Sequence, residues 1–152
     1  MKKDQELIVI TKTYDLILWS CNHTSRFPRN HRFVLGERIE RNLYNLLETL
    51  IAAKYTKNRQ RLLEQANLNL EILRFQMRLA KDLQCLKVES YAFAAKSIDE
   101  IGRLIGGWLR SRPEARRTHE AVVAGEFAGV VAGPENQVVS LGDHDQFLVF
   151  FH

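Results

Sequence analysis

Between Leu62 and Leu86 the chain reads LLEQANLNLEILRFQMRLAKDLQCL, a stretch without Gly or Pro in which apolar residues recur at helical spacing. Its Leu, Glu, Gln, Arg and Lys content favours an α-helix on intrinsic propensity. At 100° per residue the apolar positions fall on two stripes, where an ordinary surface helix carries one. Leu63, Ala66, Leu70, Leu73, Met77 and Ala80 keep a 3-4-3-4 rhythm along one face, and Leu68, Ile72, Phe75, Leu79 and Leu86 form the second. Arg74, Arg78 and Lys81, at i, i+4 and i+7, run in a polar strip between them. One stripe can bury against the helix's own domain. The second calls for another cover: either this helix is the most enclosed one of a monomer, or, the expectation here, a neighbouring subunit covers it.

The same periodicity predicts three further helices. Leu7, Ile10, Tyr14, Ile17 and Cys21 mark the buried face of a first helix over roughly residues 4–24, widened by Leu16 and Trp19. Pro28 breaks it, and Asn30 can cap the start of a second helix. Gly36, Ile39, Leu43, Leu46, Leu47, Leu50 and Ala53 give the core stripe of that second helix, His31 to Thr56, with Gly36 implying close approach of a neighbour. Short links near Lys57–Asn58 and at Gln84–Lys87 make consecutive helices antiparallel. Val88, Tyr91, Ala95, Ile98, Gly102, Ile105 and Leu109 line a fourth helix that ends near Ser111, before Pro113. The expected fold is all-α: an up-down-up-down antiparallel four-helix bundle over residues 1–111 with an irregular C-terminal tail, 112–152. In that tail Val130–Val131, Val138–Val139 and Phe147–Phe151 have strand character. So small a β-unit is marginal alone, and a disordered or loosely docked tail is the expectation.

Composition narrows the function classes. Of 152 residues 45% are hydrophobic and 26% charged, which suits one ordinary globular domain. No run of about 18 apolar residues predicts a membrane span. Asp4, Glu6, Lys12 and Asp15 interrupt any secretory leader. Cys21 and Cys85 form no CxxC and read as reduced, half-buried thiols of a cytoplasmic protein. No glutamate has a His three residues on, as a di-metal carboxylate bundle requires, and no phosphate-loop, dinucleotide or nucleophile-elbow motif occurs. The expectation is a non-enzymatic protein with no cofactor and no metal.

Charge then singles out a partner. Residues 1–111 hold 19 of the 22 Lys and Arg but 12 of the 18 Asp and Glu, while residues 112–152 hold three basic against six acidic residues. The basic surplus of the helical part suits a polyanion. Arg26, Arg29, His31, Arg32, Arg38 and Arg41 cluster around the first turn-over, Arg74, Arg78 and Lys81 line the third helix, and Lys96, Arg103 and Arg110 recur every seven residues on the fourth. Arginine favours planar, bidentate phosphate contact. Two alternatives to phosphate contact stay open, since Glu37–Arg41 and Asp99–Arg103 sit at the i,i+4 spacing of helix ion pairs.

Two stretches carry a resemblance. FPRNHRFVLGERIERNLYNLLETLIAA (Phe27–Ala53), and LRFQMRLAKDL with YAFAAKSIDEIGRLIGGWL (Leu73–Leu109), resemble the accessory variability determinant (Avd) proteins of diversity-generating retroelements. These lie within a family of small four-helix bundles that also includes proteins of 23S rRNA intervening sequences. The resemblance implies a non-enzymatic partner of the element's reverse transcriptase. It also implies a homo-oligomer, a pentameric ring with a basic surface, that binds RNA or DNA with little sequence preference in mutagenic copying of a template repeat. Carried over, Arg29, Arg32, Arg38, Arg74 and Arg78 are candidate contacts, and Arg26, Arg41, Lys81 and Arg103 extend the set. The alternative function is a purely structural, self-assembling bundle of the intervening-sequence type.

Overall fold

The computed structural model describes residues Lys2–Ser111. The chain divides into two units, Met1–Arg112 and Pro113–His152, and the described residues all belong to the first. The tail and its short strands lie outside the described residues. The described residues form four long helices: α1 (Lys2–Thr24), α2 (Glu37–Tyr55), α3 (Gln60–Asp82) and α4 (Val88–Arg110). Each packs on its sequence neighbours, and α1 closes the cycle against α4. Lys12 pairs with Glu100 while Trp19 lies against Phe93, so the outer pair also runs antiparallel. This is the expected up-and-down bundle.

The core is built from one row of each helix. On α3 the row Leu63, Ala66, Leu70, Leu73, Met77 and Ala80 is buried, and Leu68, Ile72, Phe75 and Leu79 face outward. On α2 the expected stripe is buried apart from Leu47, which is half-buried. The first and fourth helices are rotated relative to expectation. In α1 the buried row is Val9, Thr13, Leu16, Ile17, Ser20 and Thr24, and Leu7 and Tyr14 are exposed. Thr13 Oγ1 donates to Val9 O at 2.8 Å, which lets a threonine behave as an apolar group. In α4 the row is Ala94, Ile98, Ile101, Ile105 and Trp108, and Val88 is exposed. Trp108 and Ile101 present more surface to the core than the Ala95 and Gly102 of the expected stripe, and burial tracks area.

Polar contacts set register. Buried Asn42 of α2 donates Nδ2 to Asn69 O of α3 at 2.9 Å and to Gln76 Oε1 at 3.2 Å. Thr24 Oγ1 donates to Glu40 across the α1–α2 contact. At the opposite end Arg59, in the α2–α3 link, reaches Glu6 of α1 at 2.5 Å and lies 5.4 Å over the Trp108 ring of α4. One guanidinium thus ties three elements. Gly36 is buried where α1 ends: a Cβ there would meet Phe27 Cδ2 and Thr24 Cβ at 3.5 Å. The close approach inferred from the sequence is real.

Helix α3 stops four residues before the periodicity suggests. Cys85 N–H donates to Ala80 O at 2.8 Å and Gln84 N–H to Lys81 O at 2.9 Å, the two bonds of a Schellman turn. Gln84 holds φ 61°, a left-handed conformation normally given to glycine. The reversal turns Leu86 inward, so this residue is buried in the core and not part of the outer stripe. Gln84→Gly therefore relieves strain, and chemical denaturation should show a gain of about 0.5–1 kcal/mol with unchanged helicity. Arg59→Ala removes a largely buried charged hydrogen bond and should lower stability by about 2 kcal/mol in the same measurement.

Candidate nucleic-acid interface

The turn-over between α1 and α2 is shaped by one apolar anchor and one proline. Phe27 is buried, and Pro28, at φ −51° and ψ 144°, turns the chain out of α1. Pro28 O accepts from both His31 N–H and Arg32 N–H at 2.9 Å, which starts a single helical turn, Arg29–His31. A π-helical segment, Arg32–Gly36, comes next, and Glu37 N–H reaches back five residues to Arg32 O. The wide turn places two adjacent residues, Leu35 and Gly36, inward together. Phe33 and Val34 are left outside, 67% and 59% exposed.

Around this turn lie four arginines without an ion pair. Arg26, Arg29, Arg32 and Arg38 are all exposed, and none makes an ion pair among the described residues. Arg32 is held in place: its Nε and Nη2 donate to Phe27 O at 3.3 and 3.2 Å. That anchoring fixes the guanidinium plane before any ligand arrives and leaves Nη1 free of that bond, an arrangement suited to a phosphate oxygen.

Of the other predicted site residues, all but Arg103 are engaged. Arg41 pairs with Glu37 one turn earlier. Arg74 binds Glu71 at 3.1 Å and Asp99 of α4, with its Nη2 lying 3.4 Å from where a Gly102 Cβ would stand. Asp99 is committed to Arg74, so the i,i+4 pair of Asp99 with Arg103 is not formed. Arg78 lies 3.9 Å and Lys81 3.5 Å from Asp82, and Lys81 also sits 4.7 Å over the Tyr91 ring. Arg103 is exposed on α4, about 22 Å along the axis from Val88 at 1.5 Å per residue. It is remote from the turn-over. Its nearest effect is on Glu100, whose carboxyl is held below the usual range, first by Lys12 and more weakly by Arg103 and Lys96.

The structure joins Arg26 and Lys81, which the sequence places on separate helices. Both line an open groove of about 1060 Å³ together with His23, Lys87, Cys85 and Tyr91. His23 stacks on Trp19 at 3.9 Å and contacts Trp19 O through Nδ1 at 2.8 Å, leaving Nε2 for another partner. Burial pushes the Cys85 thiol up, away from the reactive thiolate. His23, Lys87 and Phe33 are absent from the predicted set. The basic ones carried a signal only as isolated charges, and Phe33 only as an aromatic beside Arg32. Among the described residues no group of three or more His, Cys, Asp or Glu is placed to hold a metal ion, and no helix is long and apolar enough to cross a membrane.

A search of curated proteins finds no relative. A family model described as bAvd-like matches residues 7–112, which spans all four helices, the buried rows and the turn-over arginines. With the helical bundle and its basic end in place, that match over more than two thirds of the 152 residues settles the assignment: the chain belongs to the bAvd-like family.

Proposed function

We propose that this protein is a non-enzymatic accessory subunit of a diversity-generating retroelement. It binds nucleic acid and the element's reverse transcriptase while template RNA is copied mutagenically into cDNA. The observation that carries this reading is the cluster Arg26, Arg29, Arg32 and Arg38. Four exposed guanidinium groups gather at one end of a bundle in which Arg41, Arg59, Arg74 and Arg78 pair with carboxylates. Keeping like charges together without acids costs stability, and a polyanion is the partner that offsets it.

Assembly is the second part of the proposal. Cys21 Sγ lies 3.6 Å from Tyr44 Oη, which marks the groove between α1 and α2. At helical spacing Leu7, Tyr14 and Leu18 share the Cys21 side of α1, and Ile51 and Tyr55 continue the Tyr44 side of α2, all exposed. This apolar strip and the outer face of α3 are different surfaces on one chain. Two unlike, mutually apolar faces favour head-to-tail contacts, which close into rings when the rotation permits. A homopentameric ring is the arrangement we propose, with the basic turn-overs presented together.

Two measurements test these parts separately. Affinity for a single-stranded RNA should fall steeply with salt, and replacing Arg26, Arg29, Arg32 and Arg38 by Gln should flatten the slope of log K against log salt by about 3. Binding that is independent of salt in the parent protein would remove the polyanion reading. For assembly, light scattering should give a mass several times 17.6 kDa for the parent and a monomer for Phe75→Glu, with circular dichroism unchanged. A monomeric parent at micromolar concentration would exclude the ring.

A further inference from the structure

The π-helical turn exposes an aromatic residue among the unpaired arginines. Phe33 is 67% exposed although apolar burial was available two positions away, where Leu35 is buried. It stands four residues after Arg29 and five before Arg38. Those separations are one turn back and, across the widened segment, one wide turn forward. The chain neighbour on its other side, Arg32, is fixed to the Phe27 carbonyl. A π-segment inside a helix is a local distortion that persists where a site uses it. Here its effect is to leave the ring exposed on a stretch whose arginines stand one turn away along the chain on either side.

Resting on the polyanion reading above, we infer that Phe33 is a stacking platform for an unpaired base of single-stranded nucleic acid. In this arrangement Arg29, Arg32 and Arg38 hold the flanking phosphates. The chemistry selects the strand type. A duplex buries its base faces, so it can engage the arginines but not the ring. A single strand offers both charge and a π-face, and stacking tolerates any base. A protein partner would also cover an exposed Phe, but three arginines without ion pairs within about a turn of it along the chain call for a ligand that brings repeated negative charge. Free nucleic acid does so, and an apolar protein pocket does not.

The test is a pair of affinities measured at one salt concentration. One probe is a single-stranded RNA of mixed sequence about 20 nucleotides long, and the other is the same sequence as a perfect duplex. Phe33→Ala should weaken single-strand binding by on the order of tenfold or more and leave duplex binding unchanged, and Phe33→Trp should retain both. A single-stranded DNA carrying several abasic positions should bind the parent protein as weakly as its intact counterpart binds Phe33→Ala. Phe33 is exposed, so the variants fold, and circular dichroism checks this. Equal single-strand binding by parent and Phe33→Ala, with the arginine variants still impaired, overturns the stacking role and leaves the polyanion reading standing. The same holds if Phe33→Ala loses only capture of the reverse transcriptase, which would assign the ring to a protein contact. A parent protein that binds neither probe overturns both readings.

Discussion

Burial of the inner row of α3 is the constraint on which the rest of the molecule depends. Leu63, Ala66, Leu70, Leu73, Met77 and Ala80 are at most 2% exposed, and they touch the one face that α2 and α4 both need. Each large side chain in that row contributes roughly 1.5–3 kcal/mol by leaving water. Once this row is inside, the remainder of α3 has no freedom. Asn69 and Gln76 come to the α2 side, where Asn42 meets them, and Arg74 and Lys81 come to the α4 side, where Asp99 and Tyr91 meet them. The second apolar stripe is left pointing away from the bundle.

This geometry explains which cations are structural. Positions on the flank of α3 are within reach of the next helix, so their guanidinium and ammonium groups find carboxylates or a ring. The turn-over between α1 and α2 is at the end of the bundle, where acids are few. Glu37 and Glu40 are nearby, but Glu37 is used by Arg41 and Glu40 accepts from Thr24. The arginines of the turn are thus unpaired because the few local acids have other partners.

The sequence displayed the core row of α2 and both apolar stripes of α3, because these positions keep strict helical spacing, but not which stripe of α3 turns inward: the outer one carries Phe75, larger than any residue of the buried row. It misplaced the faces of α1 and α4. In α1 three of the six buried positions are Thr13, Ser20 and Thr24, while the larger Leu7, Tyr14 and Leu18 stand outside. The threonine hydroxyls fold back on the helix, and that of Thr24 also reaches Glu40. A reading weighted by apolar size selects the wrong row. The end of α3 was hidden for a related reason: Gln84 adopts a conformation that residue type does not advertise. At the candidate site the charges were legible and their pairing was not. The Arg74–Asp99 contact joins residues 25 apart, and no local spacing encodes it.

The threonine- and serine-lined face of α1 has a consequence for how the bundle moves. That helix buries less hydrocarbon per turn than its neighbours, and Ser20 Oγ is enclosed without a hydrogen-bond partner among the described residues. Beside Val9, Leu16 and Ile17 its packing is completed by directed contacts, with Glu6–Arg59 at one end, Lys12–Glu100 along its length and Thr24–Glu40 at the other. Cooperative units of lower local stability open first in native-state fluctuations. Were α1 to open in this way, the inner faces of α2 and α4 would be uncovered while the α2–α3 and α3–α4 contacts stayed in place.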